Sequence, residues 1–134
     1  MNTIQNLHIS FYQKLGELFY AIAAADMVVK KAEYEALRQM VAAYWKSLDD
    51  FEDEFQVDAA YQIEIVFDWL DFENREASVS FNGFQEYYVN NKSLFTVARK
   101  KLIWQTADAI ASAFSGKNKS ELIMLAKLKM LLEG

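Results

Sequence analysis

The chain has 134 residues, with no cysteine, no proline, four glycines and a single histidine. Without cysteine there is no disulfide, no thiolate nucleophile and no Fe–S or structural-zinc ligand, and His8 alone cannot build a histidine metal site. Without proline, and with so little glycine, long helices meet few interruptions. Strand signals are equally scarce: alternating runs are few, and no Asn-Gly or Asp-Gly turn joins β-branched segments. The apolar runs fall far short of the roughly 18–20 residues a spanning helix needs. Residues Met1 to Asn6 lack a basic stretch followed by an apolar core, so no secretory signal is expected. These exclusions predict a single all-α domain, cytoplasmic, with no direct membrane insertion.

What is present is apolar and repetitive. Hydrophobic residues make up 53% of the chain. Sliding the segment from Ala21 to Glu33 by 88 positions, Ile22 onto Ile110, lays it on Ala109 to Glu121. Ala21, Ile22, Ala23, Ala25, Lys31, Glu33 and Leu37 meet identical residues there. Each copy reads as helix, turn, helix. The chain therefore divides into a first hairpin over 1–48, an acidic and aromatic insert over 49–92, and a second hairpin over 93–134.

Periodicity places about six helices. Leu7, Phe11, Leu15, Leu18 and Ile22 stripe a first helix capped by Thr3, and a second runs from Lys31 to about Lys46. Asp58 is the expected cap of a third helix reaching Asn74. That helix carries two apolar stripes: Ala60, Ile63, Phe67 and Leu70, then Tyr61, Ile65, Trp69 and Phe72. So little polar surface predicts a helix central in the domain or buried at an oligomer interface. Ser80 is the expected cap of a fourth helix and Ser93 of a fifth running to Phe114. Asn118 with Glu121 makes a capping box for the last helix. Lys30 stands where the second copy has Asn118, so the first copy keeps only the Glu33 half.

The net charge of −5 hides an asymmetry. Residues 49–76 hold eleven acids and one base, Arg75, whereas residues 77–134 carry a balance of +4. Glu64, Asp68 and Asp71 share a helix face, and like charges at that spacing favour a cationic neighbour. Arg75 and the cluster Arg99-Lys100-Lys101 are the expected ones. A nucleic-acid role is not expected from an acidic chain with scattered lysines. An EF-hand starting at Asp50 fails, with Phe55 at the glycine position and Tyr61 at the glutamate position. No glycine-rich loop or nucleophile–base pair is recognisable, so no enzyme is expected. Twenty Phe, Trp and Tyr residues exceed what a small helical core readily hides. Phe81, Phe84, Tyr87 and Tyr88 on one short helix are expected to reach the surface. With the acids Asp49, Asp50, Glu52, Asp53, Glu54, Glu64, Asp68 and Asp71 they form the expected interaction surface for a protein partner or a homo-oligomer.

The segment Ala23-Ala24-Ala25-Asp26-Met27-Val28-Val29-Lys30-Lys31-Ala32-Glu33 resembles the signature of the tellurite-resistance TerB-like domains. That signature is a small-residue helix end, then Ala-Asp-Gly, a β-branched residue and a glutamate opening the next helix. The resemblance spans about residues 11–48 and, more faintly, 102–133. It implies two pseudo-symmetric helical hairpins, here around a central aromatic helix, and a stress-response or membrane-linked setting. It also implies a divalent, calcium-like cation held by clustered acids, carried over to Asp26, Glu33 and Glu121. Two positions depart from the pattern: Met27 replaces the glycine, and Phe114 stands where the second copy would carry its aspartate. On their own terms the same acids read as caps, Asp26 for the second helix and Glu33 and Glu121 in first turns. The expected function is a non-enzymatic interaction module, with divalent-metal binding as the alternative.

Overall fold

The computed structural model describes the backbone over 3–48, 54–114 and 116–134, and side chains over 8–48, 59–114 and 116–134. The described residues form six α-helices and no strand: α1 (Thr3–Ala23), α2 (Lys31–Ala43), α3 (Glu54–Phe72), α4 (Ala77–Asn90), α5 (Val97–Ser112) and α6 (Lys119–Glu133). Short 3₁₀ turns follow α2 at Trp45–Ser47 and α4 at Lys92–Leu94. No described helix is long and apolar enough to cross a membrane.

α1 holds the centre, because its apolar residues run round most of the helix. Tyr12, Leu15, Leu18, Phe19, Ala21, Ile22 and Ala23 are all sealed from solvent. It packs against α3, α4, α5 and α6, and touches α2. At about 1.5–3 kcal/mol for each large side chain removed from water, these contacts dominate the fold's stabilisation. The closest approach is at Gly16, where an added Cβ would stand 2.7 Å from the Ile63 carbonyl oxygen and 2.8 Å from Val66 Cβ. Only glycine lets α1 and α3 cross so tightly.

The central place expected for the aromatic helix thus belongs to α1, and α3 lies on its flank. Three helix starts also differ from expectation. α3 begins four residues before Asp58. α4 begins at Ala77, leaving Ser80 inside the helix and buried. α5 is capped by Thr96, whose side chain accepts from Arg99 N at 3.2 Å, rather than by Ser93. A serine preceding an apolar run is a cap signal only if the chain before it is non-helical, and that is decided by packing.

Trp45 ties the first hairpin to the second. Its Nε1 donates to Thr106 Oγ1 at 3.0 Å, and that hydroxyl donates onward to Leu102 O at 2.8 Å. Both side chains are fully buried, so each polar atom needs this partner.

Candidate functional site

Two places concentrate chemistry: the junction of the hairpins, and the outer face of α3.

At the junction the two copies of the repeat meet through the N-termini of α2 and α6. The Glu33 Oε1 atom accepts from Lys30 N at 2.8 Å, and Glu121 Oε1 accepts from Asn118 N at 3.0 Å. Asn118 completes its box by accepting from Glu121 N at 2.8 Å. Lys30 cannot, since an ammonium has no acceptor. Its side chain instead donates to Asp26 Oδ2 at 2.7 Å, and Asn118 Nδ2 donates to the same oxygen at 2.7 Å from 92 residues away. Asp26 Oδ1 accepts from Val28 N at 3.1 Å. Asp26 therefore braces the turn and bridges the hairpins; the expected capping of α2 by Asp26 is not what it does, because Lys30 occupies the N-cap position.

Glu33 and Glu121 are each only 1% exposed, and their carboxyl groups face one another. Burial, then the hydrogen bond and charge of Glu121, push the Glu33 carboxyl up to about 8. Two ionised carboxylates cannot hydrogen-bond, and Glu121 Oε2 has no other donor. A proton on Glu33 supplies one. Burial opposes ionisation of Asp26, but hydrogen bonds from Lys30, Val28 N and Asn118 hold its carboxyl below the usual range. The bond to Asp26, with the charges of Glu33, Asp26 and Glu121, raises Lys30 despite partial burial.

The structure thus brings Asp26, Glu33 and Glu121 together, as the resemblance implies, and places an ammonium among them. Two differences between the copies contribute. Lys30, at the asparagine position, supplies the positive charge, and Phe114, at the aspartate position, lies 5.5 Å from that ammonium across its ring. A hard divalent ion wants six to eight oxygens. Here both Asp26 oxygens and one oxygen of each glutamate are already engaged, so a divalent ion would have to displace Lys30. As the side chains stand, the donor set does not fit one. Among the described residues, no group of three or more His, Asp or Glu side chains has metal-holding geometry.

The second place is α3. Its first stripe, Ala60, Ile63, Phe67 and Leu70, is buried against α1. The second faces outward: Tyr61, Ile65, Trp69 and Phe72 are exposed, Phe72 at 84%. Shallow hollows of about 530 Å³ and about 500 Å³ flank Ile65 and Asp68. Glu64, Asp68 and Asp71 run beside the stripe. Burial raises the Glu64 carboxyl although Arg38 and Lys46 pull the other way. Burial and the nearby Asp68 charge raise Asp71.

The expected cations are only partly there. Glu64 pairs with Arg38 at 3.5 Å. Arg75 turns to Glu73 at 3.6 Å and stacks over Trp69 at 5.0 Å, not onto Asp71. Asp68 and Asp71 form no salt bridge among the described residues. The basic cluster sits elsewhere: Arg99 donates to Leu94 O at 2.7 Å, and Lys100 lies 5.8 Å from the Tyr88 ring centroid.

No protein-family model, curated protein or solved structure matches this chain. Its function has to be read from its own surfaces.

The aromatic part of the expected interaction surface is corrected by the structure. Phe81, Phe84 and Tyr88 are buried, and Tyr87 is half-buried with its ring edge-on to Phe95 at 6.2 Å. Spaced three and four apart, Phe81, Phe84 and Tyr88 make one stripe, and α4 lays it on α1. Asp49, Asp50, Glu52 and Asp53 lie outside the described residues, as does the side chain of Glu54. Tyr44 and Phe114 reach solvent singly, whereas Tyr61, Trp69 and Phe72 of α3 do so along one helix face. Their signal was in the sequence, as a second apolar stripe separated from the first by acids, but periodicity does not say which stripe the body covers.

Proposed function

We propose that this chain is a non-enzymatic protein-interaction module whose working surface is the outward stripe of α3. The observation that carries this reading is an aromatic face, Tyr61, Ile65, Trp69 and Phe72, exposed on a helix whose opposite face anchors the core. Small monomeric proteins seldom leave such a contiguous apolar patch to water, and an apolar patch rimmed with charge marks a binding surface. Aromatic residues at its middle and carboxylates at its edge are the composition of a protein interface. The resemblance to TerB-like domains adds the setting, a cytoplasmic stress-response or membrane-linked complex.

The test is the double variant Trp69→Ser with Phe72→Ser. Helix content and melting midpoint stay close to the parent because both side chains are exposed. Association, read by cross-linking in the cell of origin and by sedimentation of the purified chain, is lost. A variant that unfolds would assign these residues to the core, and one that associates unchanged would move the working surface away from α3.

A second reading, a divalent cation at Asp26, Glu33 and Glu121, rests on the convergence of those acids. Melts of the chelator-treated chain with calcium, magnesium, manganese and zinc test it. A ligand specific to the folded state raises the midpoint, by about 2.7 kcal/mol of stability at a hundredfold excess over its dissociation constant. With Lys30 in place no shift is expected; an ion-specific shift lost in Asp26→Ala would favour this reading instead.

A further inference from the structure

The complement of the α3 face is carried by the same chain. Lys100 and Lys101 at the start of α5, with Lys129 and Glu133 near the end of α6, line a groove of about 270 Å³ that also takes in Trp104 and Leu132. That volume accepts one large aromatic side chain. Trp104 is half-buried there, so the groove joins an apolar floor to a rim of three lysines and one glutamate, positive on balance. The α3 face has the opposite character: a protruding aromatic, Phe72, with Asp68 and Asp71 beside it and no cation paired to either among the described residues.

The two faces cannot satisfy each other within one molecule. α3 packs on α1, α2 and the turn after α2, whereas α5 packs on α2, α1 and α6. No appreciable packing joins α3 to α5 or α6 among the described residues, whereas α1 packs on all three. The charge asymmetry of the sequence therefore remains separated in space.

We infer that the α3 face docks a second copy of this chain, head to tail, with Phe72 seated in the α5–α6 groove, Trp69 against its edge, and Asp68 and Asp71 facing Lys100, Lys101 and Lys129. The inference rests on α3 being the working surface and names what covers it. A symmetric pairing of α3 with α3 would set Glu64, Asp68 and Asp71 against the same acids of the other copy, a like-charge contact that disfavours it. The contact joins two different patches, so repetition closes a ring or extends an open chain.

Sedimentation of the full chain over a wide concentration range is the experiment, with two half-blocked variants. Trp69→Ser with Phe72→Ser blocks the aromatic face. Lys100→Glu with Lys101→Glu blocks the basic face, and acidic residues in the first turns of a helix favour it, so the fold is kept. The parent mass rises with concentration, and the apparent affinity falls about tenfold or more between about 0.05 M and 0.5 M salt. Each variant alone is monomeric. Mixed, they form a one-to-one heterodimer, because each retains the half the other lacks.

A monomeric parent at every concentration would overturn the inference and leave the α3 face to a different partner. Self-association that persists in the Lys100→Glu, Lys101→Glu variant overturns it in favour of α3–α3 pairing. Self-association that persists in the Trp69→Ser, Phe72→Ser variant overturns both this inference and the reading of α3 as the working surface.

Discussion

Met27 is the residue at which backbone and side chain disagree most openly. Its φ is +71°, in the left-handed region, and its side chain is 89% exposed, so nothing it touches compensates the conformation. An L-residue there costs roughly 1–2 kcal/mol, against the smaller entropic cost of glycine. Met27→Gly is therefore expected to stabilise by about 0.5–1 kcal/mol, read as a rise of about 2–4 °C in the melting midpoint. Three residues on, Lys30 has become the cation of a buried acidic cluster, and its glutamate partner sets a pH dependence. Folded Glu33 keeps its proton up to about 8, whereas the unfolded chain releases it near 4.5. The folded state then binds more protons across that window, so the contribution is complete below pH 4.5 and is lost as pH rises through 8. The midpoint of the parent should fall on going from about pH 5 to pH 9, with a slope of up to about 1.4 kcal/mol per pH unit. Glu33→Gln keeps a donor for Glu121 and removes the titration, so its profile should be flat across the window and lie above the parent at the alkaline end. Parallel profiles would refute the shared proton.

At the scale of elements, the α1–α3 crossing is tight enough at Gly16 to leave no room for a Cβ. Gly16→Ala improves helix propensity by about 1 kcal/mol but drives a methyl group into the Ile63 carbonyl and Val66. Neither neighbour is the loose end of a side chain, and overpacking of this kind costs about 1–3 kcal/mol, so a net loss is expected. A urea titration should show a lower midpoint with an unchanged slope. α4 illustrates what its sequence left open. Four aromatics in eight residues looked too many to hide, yet α4 buries three of them because their spacing forms one face. α3 carries two equally apolar faces, and only one finds a neighbour. The count of aromatics was informative; which helix exposes them was not legible.

For the whole molecule, α1 is the element every other helix rests on, and the amides from Leu15 to Ile22 should be the last to exchange with solvent, reporting global unfolding. Those between Ala25 and Lys30, in the turn, should exchange through local opening, and equal rates in the two segments would contradict a fold centred on α1. The charge asymmetry belongs to this scale as well. No contact joins the acids of α3 to the lysines of α5 and α6 among the described residues; the cation that Glu64 meets is Arg38 of α2.

The sequence by itself determined the helical class, the two-hairpin plan, the capping box at α6 and its glutamate half at α2. These follow from short-range rules: apolar spacing, the scarcity of helix breakers, and caps that satisfy nearby amides. The grouping of Asp26, Glu33 and Glu121 was something only the family resemblance implied; the repeat itself paired Glu33 with Glu121 and set Asp26 against Phe114. Only the tertiary structure decided that Lys30 lies among those acids, that Thr96 and not Ser93 caps α5, and that α3 rather than α4 offers aromatics to solvent. Each of those outcomes depends on which of several comparable faces finds a neighbour, and that is a property of packing between distant segments, which no local pattern encodes.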